Sequence, residues 1–306
     1  MSGLPERFPE GCFQRRRTTG LWPIVVSIFC FLPGFFGISA HANDLKPETV
    51  AAFNRYVSAT EARMENDSRA GQFLIVDRLP ELQRNSAYEQ LRGGQAYIEE
   101  LNTEEDHHPI PIPNGLIHHW AGVTFIPGAN LGEAVAVLQD YDNQEKFYKP
   151  QVRQAKRIGQ DGNESNIFEQ LYSKSIVTVV LNVYFDVVET PMGSTRTQSV
   201  SRSTRIAEVV DFGSPTEHER TDGRDHGYMW RLNSYWRVEE KDGGVYIQTE
   251  SISLSRPVPF MLSWIITPLT KSIPRDVILQ LLTDTRKAVL APGTPSKQEG
   301  SPGNAR

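Results

Sequence analysis

The chain is predicted to fold as an α+β protein, with a curved antiparallel sheet closed around a long C-terminal helix and a helical segment before it. Three observations predict this. From Leu116 to Arg256, stretches of alternating apolar and polar residues recur with turn residues between them, as half-buried strands do. A short amphipathic helix interrupts after the first stretch. A second helix, Pro274 to Leu290, carries Val277, Ile278, Leu281, Leu282, Ala288 and Val289 on one face. Strand, helix, about six strands and a long amphipathic helix is the order of a sheet that curls around its last helix and encloses a cavity.

The elements follow in order. Residues 1–42 read as a cleavable signal peptide: Arg15, Arg16 and Arg17 precede an apolar run from Leu21 to Ile38, which ends in the small-x-small pattern Ala40-His41-Ala42. An uncleaved membrane anchor is the competing reading, opposed by Pro23, Pro33, Gly34 and Gly37 inside the run and by the cleavage pattern. Phe29 before Cys30 disfavours a bacterial lipoprotein signal, and the arginines lack the rest of a twin-arginine motif. Cleavage leaves a periplasmic or secreted chain with no stable membrane span. It removes both cysteines, Cys12 and Cys30, so neither a disulfide framework nor a Cys-rich metal site can form.

Residues 43–115 read as a helical segment with a Pro-rich connector. Val50, Phe53, Val57 and Met64 recur at near-helical spacing after Pro47, and a second helix runs from Pro80 to Arg92 before Gly93-Gly94. Pro109, Pro111, Pro113 and Gly115 cannot continue a helix, and residue 115 is taken as the boundary with the main domain, 116–290. Its strands are expected at about 117–126, 152–158, 166–174, 176–189, 197–210, 228–240 and 245–256. Asn130 and Glu133 form a capping pair for the helix between the first two. Residues 291–306, rich in Gly, Pro and Ser, are expected to be disordered.

Charge narrows the partners. Lys and Arg number 32 against 37 Asp and Glu over the whole chain, and 28 against 35 after cleavage, a net of −7. No broad basic surface faces a nucleic acid or an anionic membrane. No Gly-rich phosphate loop, nucleophile elbow or helical zinc motif occurs, and the adjacent pairs His107-His108 and His118-His119 point to opposite faces of an extended chain. No metal or cofactor is expected.

In the strand from Ile176, Val177, Val179, Leu181, Val183, Phe185 and Val187 share a face that reads as inward. Between Tyr228 and Val238, Trp230, Leu232, Trp236 and Val238 share another. The pairing with 245–256 depends on the turn at Asp242-Gly243-Gly244. A three-residue loop sets Leu232 opposite Leu254 and Trp236 opposite Glu250, the preferred reading because it matches apolar to apolar; a two-residue loop sets Trp236 opposite Thr249. The first turns Glu250 inward beside an indole. Arg202, on a face with Val200 and Ile206, points the same way. Arg202 and Glu250 are therefore the candidate polar anchor of an otherwise apolar pocket lined by Leu232, Trp236, Val179, Leu181, Val183 and Phe185. The competing reading makes them a structural ion pair. No residue is assigned a catalytic role, although His226 beside Asp225 has the chemistry of an acid or base.

Residues 116–290 resemble the START-like or SRPBCC superfamily, whose members include polyketide cyclase-like and coenzyme Q-binding proteins. The resembling residues are the first strand to Ile126, Leu138-Gln139-Asp140-Tyr141-Asp142, Tyr148-Lys149-Pro150, Tyr235-Trp236-Arg237-Val238, Gly243-Gly244-Val245-Tyr246 and Ser272-Ile273-Pro274-Arg275. The resemblance implies a helix-grip fold with a cavity for a hydrophobic molecule, such as a lipid, an isoprenoid quinone or a polyketide. Three functions compete: a carrier that performs no chemistry, a polyketide cyclase or dehydratase with an acid-base pair in the cavity, and an envelope interaction module whose segment 45–101 docks a protein partner.

Overall fold

The computed structural model describes residues 45–174, 178–221, 225–257 and 260–291, with the side chains of 260–273 left aside. The expected signal peptide, 1–42, Ile176 and Val177, and the tail from 292 lie outside the described residues. Helix α1 (Pro47–Arg69) starts with proline in its first turn, where the missing N–H costs nothing, and buries Phe53, Tyr56, Val57, Thr60 and Met64 on one stripe. A 3₁₀ turn (Ile75–Arg78) and α2 (Glu81–Arg92) lead to β1 (Tyr97–Glu100) and the two-residue strands β2 (Glu104–Glu105) and β3 (His108–Pro109). Next come β4 (Leu116–Pro127), α3 (Leu131–Leu138), a 3₁₀ turn at Tyr141–Asn143 and α4 (Gln144–Phe147). Strands β5 (Val152–Asp161), β6 (Glu164–Lys174), β7 (Thr178–Pro191), β8 (Arg196–Val210), β9 (His218–Glu219), β10 (Arg231–Lys241) and β11 (Gly244–Ser255) precede α5 (Phe260–Leu290).

The expected capping box opens α3: Glu133 N donates to Asn130 Oδ1 at 2.9 Å and Asn130 N to Glu133 Oε2 at 3.0 Å. The main sheet runs β1-β4-β11-β10-β8-β7-β6-β5, antiparallel at every pairing, with β9 on β8. Helix α5 crosses its inner face, as the helix-grip arrangement requires. The crossing is close at Gly122, where a Cβ would lie 2.7 Å from Ile278 and 2.8 Å from Leu282.

Two expectations are corrected. Helix α5 begins at Phe260, not at Pro274. Proline forfeits one backbone hydrogen bond without obliging a helix to start, and the chain passes through Pro268 and Pro274 in helical form. The β10–β11 hairpin has the two-residue loop. Lys241 pairs with Gly244, and Asp242 and Gly243 take φ of 56° and 72°, the double left-handed turn whose twist matches the flanking strands. Trp236 therefore stands opposite Thr249, Leu232 opposite Ser253, and Tyr235 opposite Glu250.

The sheet is covered on both faces. On the outer face, Phe73, Leu74, Val76 and Leu91 pack on Val123, Phe125 and Tyr246, while Phe53, Tyr56 and Val57 pack on Trp230, Tyr235, Ile252 and Leu254. Each such side chain contributes about 1.5–3 kcal/mol relative to exposure. Segment 45–101 therefore uses its apolar stripe on its own sheet and adds β1 to the sheet edge. The boundary expected at residue 115 falls inside one compact unit. On the inner face, Val238, Val245 and Ile247 pack on Ala134, Val137, Ala288 and Val289, closing one end beneath α3 and α5.

Candidate functional site

Between the rest of the inner face and α5 lies a cavity of about 1150 Å³. Its β6–β7 wall is largely apolar, formed by Leu171, Val179, Leu181, Phe185 and Val187 around the carboxyl of Glu169, and α3 and α5 add Val135, Leu138, Ile278 and Leu281. Leu232 and Trp236 of β10 also line it, so five of the expected apolar residues, Val179, Leu181, Phe185, Leu232 and Trp236, meet in one space. Val183 is fully buried in the same cluster but does not reach the lining.

Arg202 and Glu250 do not belong to this cavity. The two-residue hairpin turns Glu250 to the outer face, where His119 Nε2 lies 2.8 Å from its Oε1, Arg63 of α1 donates to the same oxygen, and the Tyr56 hydroxyl lies 2.9 Å from His119 Nδ1. Burial alone would raise the Glu250 carboxyl, but the His119 hydrogen bond and the Arg63 charge hold it below the ordinary carboxylate range. Arg202 is half-exposed on that face and donates to Glu61 of α1 at 2.6 Å, and Tyr235 donates to the same oxygen at 2.9 Å. Arg237 joins them, donating to the carbonyls of Phe73 at 2.8 Å and Met64 at 3.0 Å. These charges fasten α1 to the sheet and are not an anchor for a ligand. The physical reason is register: with side chains alternating at period two, one residue more in the loop would have turned Glu250 to the cavity.

The polar groups that do face the cavity are others. Ser201, Ser234 and Ser251 stand side by side across β8, β10 and β11, and Trp236 sits between Ser199 and Thr249 in the next row. The signal was present in the sequence as serine at alternate positions, Ser199-x-Ser201 and Ser251-x-Ser253-x-Ser255, and it reads as a solvent face unless the cavity is known. Glu169 of β6 lines the cavity between Ile167 and Leu171, a carboxyl at period two among apolar residues. Among the described residues it has no hydrogen-bond or ion-pair partner, and burial pushes it up to about 7. Tyr148, 3.1 Å from Thr285 on α5, is pushed up to about 12 by burial. His118, 3.2 Å from Ser255, is lowered by burial, and it points into the cavity while its neighbour His119 faces outward. His226 lines the cavity beyond β8, its Nδ1 2.7 Å from Glu208 Oε2.

No protein-family model matches the chain, and no curated protein matches it. Among solved structures, a STAR-related lipid transfer protein from Xanthomonas axonopodis is 12% identical over 62% of this chain and 98% of its own, with a TM-score of 0.41. Human STARD10 is 12% identical over 70% of this chain and 81% of its own, at 0.42. The Zhui aromatase/cyclase from Streptomyces sp. R1128 is 7% identical over 57% of this chain and 94% of its own, at 0.38. The strand order, the crossing helix and the space between them define the class by themselves: a helix-grip α+β fold with a cavity between sheet and helix.

Proposed function

We propose that the protein is an exported carrier that holds a hydrophobic small molecule or lipid between its sheet and α5. The observation that carries this reading is the cavity, because a volume of about 1150 Å³ with a largely apolar wall slightly exceeds the roughly 300–1,000 Å³ of drug-sized ligand sites and leaves room for a larger apolar molecule. Export rests on the arginines, the apolar run and Ala40-His41-Ala42 at the N-terminus. Native mass spectrometry with lipid extraction, on protein purified from its own envelope, is expected to find a bound apolar molecule, and N-terminal sequencing of that material is expected to begin at Asn43. An empty cavity under those conditions would refute the carrier, and a full-length cytosolic product would refute export. Ligand binding is expected to change tryptophan emission through Trp236 and Trp120, which both line the cavity, and Trp236→Phe is expected to remove the Trp236 part of that change while leaving the fold intact.

Glu169 favours a second reading. A carboxyl that titrates near 7 inside a cavity can take or give a proton at neutral pH, which is what a cyclase or dehydratase on a polyketide-like substrate requires. Conversion of the extracted ligand by wild type and not by Glu169→Gln, with binding kept, would select the enzyme over the carrier.

A further inference from the structure

The inner face of the sheet changes character along β11. Val245 and Ile247 are packed beneath α3 and α5, whereas Thr249, Ser251, Ser253 and Ser255 continue the same face over the cavity. Across the sheet the change continues, since Ser234 on β10 and Ser199 and Ser201 on β8 face the same space. Ser201 pairs with Ser234 and Ser234 with Ser251, so three hydroxyls lie in one row at the spacing of adjacent strands, about 4.8 Å. Among the described residues, the side chains of Ser199, Ser201, Ser234, Thr249, Ser251 and Ser253 make no hydrogen bond, to one another or to any other group.

Each of these hydroxyls can donate one hydrogen bond and accept others, and a purely hydrocarbon occupant would strip them of water with nothing in return. The chemistry of the row also selects among polar partners. Arg202 of β8 and Arg231 and Arg237 of β10, the cations nearest the row, are turned to the outer face, where each donates to a carboxylate or carbonyl. Lys174 and Arg256, which do line the cavity, stand at or just past the ends of β6 and β11. A carboxylate or phosphate laid on the row would find donors but no counter-charge, whereas neutral oxygens would find both donors and acceptors.

We infer that this hydroxyl row is a binding subsite for the uncharged, oxygen-bearing part of an amphiphilic ligand, with several hydroxyl or carbonyl oxygens, while the β6–β7 wall takes its hydrocarbon part. The inference rests on the carrier reading and narrows its ligand class. The test measures Trp236 emission on titration of the purified protein with two probes of equal chain length, 1-monoolein, whose glycerol ester carries neutral oxygens, and 1-octadecene, which carries none. Wild type is expected to bind monoolein at least tenfold more tightly. The triple variant Ser201→Ala, Ser234→Ala, Ser251→Ala is expected to lose that advantage, with octadecene affinity and melting temperature unchanged. Equal affinity of wild type for the two probes, or a triple variant that keeps the monoolein preference, would overturn the hydroxyl subsite and leave the carrier standing. Binding of neither probe would overturn both.

Discussion

The two faces of the central strands treat their polar residues in opposite ways. On the outer face, charges are buried and mostly held by groups of the chain itself: Glu250 has Arg63 and His119 on its Oε1, its Oε2 alone being left without a hydrogen bond among the described residues, and Arg237 has two carbonyls from the segment that covers it. On the inner face, smaller neutral groups and one carboxyl, Glu169, face a space with no partner among the described residues. The difference separates structure from function in a single sheet. Polar groups paired within the chain hold α1 in place, and polar groups open onto the cavity are the ones the carrier reading assigns to a ligand.

The largest expected effect that would break this contrast is on the outer face. Glu250→Ala leaves Arg63 and His119 facing a buried void, and urea unfolding should show a loss of about 3–5 kcal/mol, the range for removing one partner of a buried pair. A loss under about 1 kcal/mol would mean that the network does not hold α1 to the sheet.

The next effect is on the inner face and has the opposite sign. Glu169 is raised from an ordinary 4.5 to about 7, so between those values the folded chain holds a proton that the unfolded chain has released, and stability falls as pH rises through that window. Glu169→Gln should therefore stabilise the protein by about 2 kcal/mol at pH 8, with allowance for water in the cavity, and by almost nothing at pH 4. Glu250 runs the other way. Its carboxyl lies below 4.5 in the folded chain, so its contribution is complete above that pH and is lost as pH falls through the folded value. Thermal melts across pH 3 to 8 on wild type, Glu169→Gln and Glu250→Gln should show the fall in stability between pH 4.5 and about 7 flattened in the first variant and the loss below pH 4.5 flattened in the second.

The smallest effects sharpen the comparison. Arg202→Leu removes a half-exposed pair with Glu61 and should cost about 1 kcal/mol or less. It should also leave the affinities for monoolein and octadecene unchanged, since the side chain lies across the sheet from the cavity. Ser251→Ala should change stability by no more than about 0.5 kcal/mol, because its hydroxyl has no partner to lose.

Much of this architecture is legible in the residues themselves. Proline in the first turn and the Phe53, Val57, Met64 spacing predict α1, Asn130 with Glu133 predicts the start of α3, and the alternating runs predict the strands to within a few residues. The apolar wall of β7 is legible for the same reason, because Val179, Leu181 and Phe185 alternate without interruption. The polar half of the site is not. Ser199-x-Ser201 and Ser251-x-Ser253 look like solvent faces, and Val200, Ile252 and Leu254 between them look like the core beneath α5. They are core, but beneath α1.

Local sequence therefore determined which residues share a face, since period two follows from the geometry of an extended chain. It also determined that both faces carry apolar residues and that a helix would close the domain. Which face turned toward the cavity was decided only in the tertiary structure, for two physical reasons. Asp242-Gly243-Gly244 permits either loop length, and one residue of register exchanges Glu250 for Thr249 opposite Trp236. The outer face, moreover, is dry only because residues 45–101, distant in sequence, fold onto it, and no local pattern in β8, β10 or β11 announces that cover.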